Sequence, residues 1–320
     1  MSRYRDHLPQ TDPRSGGVFL TDGGIETVLI FHEGADLPCF ASFVLLETDE
    51  GREMLRRYFR RYAALAAERG LGFILESPTW RASPDWGRKL GYDAHALARI
   101  NTAAIDMMHE IRNEHETPQS RFVISGCVGP RGDGYDAGDL TSVEQARAYH
   151  AGQVGVFAAA GADMVTGITM TNVPEATGLA LAARDAAVPC AVSFTVETDG
   201  RLPSGEEIGA AVDAVDAATE AHPAYYMINC AHPSHFEHAV LRGEAWLTRV
   251  RGIRANASAK SHAELDDSET LDEGDPEDLA GRLRALREVM PNLNVVGGCC
   301  GTDHRHVAAI GDAIVADRTG

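Results

Sequence analysis

Short apolar runs alternate along this chain with longer stretches whose apolar residues recur at helical spacing. Gly17–Thr21 (GVFLT) reads as a buried strand running into Asp22-Gly23-Gly24. In Glu50–Arg69 the residues Met54, Leu55, Tyr58, Phe59, Tyr62, Leu65 and Ala66 line one face of a helix that Gly70 ends. Strand Gly72–Leu75 follows and delivers Glu76-Ser77-Pro78, then helix Asp93–Glu114 and strand Arg121–Ser125. A loop rich in Gly and Asp, Arg131–Leu140, precedes a helix from Thr141 to Ala160, for which Thr141 and Glu144 form a capping box. Four strand and helix pairs complete the pattern. They are Ala162–Ile168 with Pro174–Ala187, Pro189–Val196 with Gly205–Ala221, Ala224–Asn229 with Pro233–Arg242, and Leu247–Arg254 with Asp275–Met290. Strand Leu293–Val296 and helix Asp303–Ala316 close the chain.

Eight strands alternating with helices imply a parallel sheet with helical crossovers. A length of 320 residues suits one α/β domain, 1–320, folded as a (β/α)8 TIM barrel. A doubly wound open sheet is the alternative. It usually shows a glycine-rich nucleotide loop after its first strand, and Asp22-Gly23-Gly24-Ile25-Glu26 does not match that loop. In a barrel the chemistry belongs to the C-terminal strand ends.

Composition narrows the partners. The net charge is −18, from 29 basic and 47 acidic residues, which argues against nucleic acid or an anionic membrane. There is no apolar run long enough to span a bilayer and no apolar signal core at the N-terminus, so the chain reads as cytoplasmic. Glu264–Asp278 holds nine acidic residues in fifteen and reads as a solvated excursion at the rim of the barrel mouth. The sequence sets no oligomeric state and is compatible with an assembly.

The six cysteines change the picture most. In a reducing cytosol metal binding is a better reading than disulfides. Cys299 and Cys300 lie between glycines at the end of the last strand, and Cys230 ends the sixth. The intervening strand lets the three converge over the barrel mouth. Gly297, Gly298 and Gly301 permit the turn that aims adjacent side chains at one ion. Three thiolates with an open fourth position suit Zn2+, and a thiol bound there loses its proton. The reaction class is alkyl transfer to sulfur. Cys39 and Cys190 read as plain buried residues, and Cys127 as a small core residue.

Gly297-Gly298-Cys299-Cys300-Gly301-Thr302, with Asn229-Cys230 and Asp22-Gly23-Gly24, resembles the homocysteine S-methyltransferase family. Val128-Gly129-Pro130 and Ser193-Phe194-Thr195 also match. The resemblance runs over nearly the whole chain and implies the same barrel. It implies that Cys230, Cys299 and Cys300 hold zinc and carry catalysis. Asp22 would meet the ammonium of the acceptor, and backbone N–H groups at Gly23 and Gly24 its carboxylate. Asn229, Glu76 and Trp80 complete the expected substrate contacts, with Trp80 facing a cationic donor. The implied reaction moves a methyl group from S-methylmethionine, S-adenosylmethionine or betaine to the zinc-bound thiolate of homocysteine, giving methionine. Another thiol or selenol acceptor, a corrinoid-protein donor, and a non-enzymatic zinc or redox role are the alternatives.

Two positions depart from the family pattern. A Glu-Thr pair usual after the fourth strand is replaced by Ile168-Thr169, and isoleucine cannot pair with a cation. Either the ammonium relies on Asp22 and a second acid, for which Glu76 stands ready unless it pairs internally with Arg81, or the acceptor lacks an amine there. In the seventh-strand region Arg254-Ala255-Asn256 stands where the family often has Tyr-Pro-Asn; Arg254 could meet a carboxylate, or it is a strand-end surface arginine.

Overall fold

The computed structural model describes residues 3–10, 17–138, 140–266 and 270–319. Eight strands form one closed parallel barrel in sequence order. They are β1 (Phe19–Leu20), β2 (Gly72–Glu76), β3 (Phe122–Val128), β4 (Met164–Met170), β5 (Cys190–Phe194), β6 (Tyr225–Ala231), β7 (Val250–Ala255) and β8 (Val295–Gly298). Closure is made by β1 pairing with both β2 and β8, through Phe19↔Gly72 and Phe19↔Val295. Helices α1 (Asp49–Glu68), α2 (Ala94–His115), α3 (Val143–Ala159), α4 (Val173–Asp185), α5 (Ile208–Thr219), α6 (Pro233–Val240), α7 (Pro276–Val289) and α8 (His304–Thr319) form the outer ring.

Every strand expected from the apolar pattern is present, and several run further than their apolar runs. β3, β4 and β6 extend to Val128, Met170 and Ala231, carried past the apolar runs through the enclosed residues Gly126 and Cys127, Thr169, and Cys230. The cap of α3 is one residue later than expected. Ser142 accepts from the Gln145 N–H, and the Gln145 side chain returns to the Ser142 N–H. Thr141 and Glu144 had the right spacing in the wrong register. A cap of this kind contributes about 1 kcal/mol. Cys39 corrects a second expectation: it is exposed, in a left-handed turn at φ 56° between β1 and α1. Cys190 and Cys127 are buried as expected.

The barrel interior has two storeys. Phe19, Ile74, Val123, Met164, Ala191, Tyr225, Met227 and Val295 fill the N-terminal end as an apolar plug. One strand step higher the inward positions turn polar: Thr21, Glu76, Ser125, Thr166, Ser193, Asn229 and Arg254 are all buried. A larger apolar layer packs the outward strand faces against the helices. The plug keeps water out from below, so the polar storey opens only toward the C-terminal mouth.

Candidate metal and acceptor site

Two irregular strand ends assemble the mouth. β6 shifts register between Asn229 and Ala231, and Cys230 takes φ 52°. β4 shifts between Gly167 and Met170, with Thr169 at φ 64°. A left-handed residue inside a strand re-aims the side chains around it, at a cost other contacts must repay. Asn229 supplies those contacts. The Thr169 N–H and the Ser193 hydroxyl donate to its Oδ1 at 3.0 and 2.6 Å, and its Nδ2 donates to Thr169 Oγ1 at 2.9 Å. The fully enclosed amide thus pins β4, β5 and β6 together directly below Cys230.

The other two thiols sit in a tight loop after β8. The Cys299 N–H donates to Ala255 O at 2.8 Å, and Cys300 O accepts from the Ala257 N–H at 3.0 Å. Gly301 has φ 78°, which a side chain disfavours. Gly297 and Gly298 are needed for a different reason than the expected turn. A Cβ at either would collide with the side chain of Thr21 or Thr302. Likewise a Cβ on Gly24 would stand 2.6 Å from Cys299 O.

The result is a compact trio. The Sγ atoms of Cys230, Cys299 and Cys300 all lie within 4.8 Å of one another, and the Cys230–Cys300 separation is 3.7 Å. Sulfurs at the corners of a tetrahedral zinc site, with Zn–S near 2.3 Å, would stand about 3.8 Å apart. The donor set and its spacing therefore fit the ion. Hydrogen bonds from the Cys230 and Cys300 thiols, with help from Arg254, hold the Cys299 thiol well below its usual pKa. Its partners are held up.

Tyr135, in the loop after β3, stands over these sulfurs. Its hydroxyl lies 3.3 Å from Cys300 Sγ and 3.8 Å from Cys230 Sγ. Its ring lies against His262 at 4.2 Å between centroids, tilted by 40°, and His262 Nε2 donates to Cys230 O at 2.6 Å. Neither residue was singled out from sequence. Tyr135 belongs to an unpatterned loop, and His262 opens the acidic excursion, of which residues 267–269 lie outside the described residues. That excursion does reach the rim: Asp272 accepts from the Ser258 hydroxyl at 2.8 Å, and Glu273 pairs with Arg305 at 2.8 Å.

The remaining candidates divide. Asp22 is buried, but both its carboxylate oxygens are taken: Arg254 Nη2 donates to Oδ1 at 2.6 Å and the Tyr58 hydroxyl to Oδ2 at 2.9 Å. The Gly24 N–H is also spent, on Thr302 O at 3.1 Å. Glu76 does not pair with Arg81. That arginine is buried between Trp80 and Trp86, at 3.9 and 3.6 Å from the ring centroids, and donates to Gly132 O. Glu76 Oε2 is left enclosed with no hydrogen-bond partner among the described residues. Burial pushes the Glu76 carboxyl up to about 7, against the pull of Arg254. Burial does the same to Glu26, also to about 7, with Cys299 adding to the rise. The cation over Trp80 is the chain's own Arg81, and the indole N–H donates to Ile168 O at 3.2 Å. Trp80 therefore braces the mouth. Gly129 and Gly134 pack against its ring and leave no room for a Cβ.

The homocysteine S-methyltransferase family model matches residues 19–314. Homocysteine S-methyltransferase 2 of Arabidopsis thaliana is 23% identical over 341 aligned residues, covering 98% of this chain and 97% of its own. Selenocysteine Se-methyltransferase of Brassica oleracea var. italica is also 23% identical, over 95% of this chain and 91% of its own. The metallated form of the homocysteine methyltransferase MmuM from Escherichia coli shares the fold with a TM-score of 0.72 at 18% identity, covering 92% of this chain and 96% of that one.

Proposed function

We propose, from the premise that this chain belongs to the homocysteine S-methyltransferase family, that it is a zinc-dependent methyltransferase acting on a small thiol. The family assigns methyl transfer to a thiol or selenol acceptor. The zinc dependence rests on one observation, the three sulfurs spaced for a tetrahedral ion at the barrel mouth. Cys230, Cys299 and Cys300 would hold the metal. When bound, zinc supplies Lewis acidity that lets an acceptor thiol lose its proton near neutral pH.

The chain's own residues do the rest. Asn229 fixes the backbone that presents Cys230. Tyr135 lends a hydroxyl to the sulfurs. Asp22, Gly23 and Glu76 line the acceptor end, with Asp22 acting through Arg254 rather than by direct ion pairing. Trp80 positions the Tyr135 loop through its contact with Gly134. In the transfer, a sulfur lone pair of the acceptor forms the new S–CH3 bond. The donor's S–CH3 or N–CH3 bond breaks, its electron pair returns to the donor heteroatom, and the thiol proton leaves to solvent. A sulfonium or quaternary ammonium donor (S-methylmethionine, S-adenosylmethionine or betaine) loses its charge in this step and leaves as a neutral sulfide or amine. With homocysteine as acceptor the product is methionine. We read residues 1–320 as one such domain, working in the cytoplasm. No helix among the described residues is long and apolar enough to cross a membrane.

The test combines elemental analysis of the purified protein with mass spectrometry of a panel of thiols and methyl donors. One zinc per chain and a methylated thiol that vanishes on chelation are expected. Methyl transfer that persists after full removal of metal would overturn the zinc reading.

A further inference from the structure

We propose that Arg254 is the acceptor-recognition residue, so that this protein demands a carboxylate on its thiol acceptor and can dispense with an α-amino group. The inference rests on the methyltransferase reading above. Arg254 lies in register between Asn229 on β6, the residue before Cys230, and Gly297 on β8, two before Cys299. Its guanidinium is therefore one strand step below the sulfurs, in the polar storey. Nη2 is committed to Asp22, and Nε donates to Gly298 O at 3.2 Å. Nη1 makes no hydrogen bond among the described residues and is not among their enclosed atoms, although the side chain as a whole is only 8% exposed. A charged donor left reachable beside the sulfurs suits an anionic acceptor group, and a carboxylate is the best match for a guanidinium edge.

An ammonium finds less. Both oxygens of Asp22 are occupied from within, and the Arg254 charge beside it repels a second cation. Ile168, at the end of β4, offers only apolar surface and its carbonyl is bonded to Trp80. Glu76 is the one carboxyl of the storey with a free oxygen among the described residues. Burial holds it up to about 7, so near neutral pH its charge is only partly present. Arg254 keeps its charge at any physiological pH. The Gly24 N–H is spent on Thr302 and is not open to a carboxylate.

The test uses the full chain loaded with cobalt(II), whose absorption reports sulfur ligation. Three thiols are titrated: homocysteine, its deaminated analogue γ-mercaptobutyrate, and its decarboxylated analogue γ-mercaptopropylamine. Methyl transfer to each is followed in parallel by mass spectrometry. The deaminated thiol should bind within a few-fold of homocysteine. The decarboxylated one should bind about tenfold to a hundredfold more weakly. Arg254→Gln should erase that difference. So should the double variant Asp22→Asn with Arg254→Gln, which removes both partners of the ion pair and guards against a folding defect. Equal binding of the decarboxylated thiol, or a loss of tenfold or more on deamination alone, overturns the proposal. If no thiol changes the cobalt spectrum and none is methylated, the methyltransferase reading falls and takes the proposal with it. If the spectrum responds but the preference is wrong, only the proposal falls.

Discussion

The hydroxyl of Tyr135 rests 3.3 Å from the sulfur of Cys300, so an aromatic residue from the loop after β3 reaches a thiol carried by β8. A phenol O–H beside a thiolate donates to it and eases its negative charge. Outer-shell partners of this kind are worth about tenfold to a hundredfold in metal affinity. Tyr135→Phe should therefore weaken zinc binding by about tenfold, read by competition with a chromophoric chelator, with the melting temperature of the metal-free protein unchanged. Unaltered zinc affinity would remove Tyr135 from the site.

Asn229 carries an amide whose oxygen accepts two hydrogen bonds and whose nitrogen donates to Thr169. Asn229→Ala leaves the buried Ser193 hydroxyl and the Thr169 N–H unmatched. The expected loss is about 2–4 kcal/mol in urea unfolding, together with weakened metal retention because Cys230 loses its backing. Asn229→Asp should be no rescue, since a buried carboxylate cannot donate to Thr169 Oγ1.

Glu76 gives a pH signature. Its pKa rises on folding from 4.5 to about 7, so the folded state binds the proton more tightly than the unfolded one. Its contribution to stability is whole below 4.5 and is lost as the pH rises through about 7. The loss amounts to about 3 kcal/mol in the ligand-free protein. Glu76→Gln removes this dependence. Urea midpoints of the wild type and variant should diverge in the variant's favour as the pH climbs across that window, and parallel curves would contradict the assignment.

Cys230 sits at φ 52°, where glycine is at ease and a residue with a Cβ is not. Cys230→Gly and Cys230→Ala should both lose bound zinc, as should Cys299→Ala, by elemental analysis. The glycine variant should be the more stable of the two at position 230 by about 1 kcal/mol, reversing the usual order of alanine over glycine in a strand. The opposite order would mean that the left-handed turn is unstrained.

The strand ends and the cysteine trio were legible because each rests on a local signal: apolar runs, helical spacing, and paired glycines around adjacent thiols. Tyr135 and His262 were not, because nothing near them in the chain marks them. Their role exists only once the loop after β3 and the segment after β7 fold over the same sulfurs. The Asp22–Arg254 pair spans 232 positions, and no spacing rule reaches that far. Reading Glu76 against Arg81 failed for a related reason. Proximity in sequence favoured Arg81, but two tryptophans hold its guanidinium away. The bulges in β4 and β6 left no trace either, since Thr169 and Cys230 are not residues that advertise a left-handed backbone.

Two of the three sulfurs lie in the loop after β8, the last strand in the sequence, which pairs with both β7 and β1. A chain still emerging from the ribosome, or one whose barrel has opened at the β1–β8 seam, has no trio to offer an ion. An ion held by the trio would thereby report that the ring is complete.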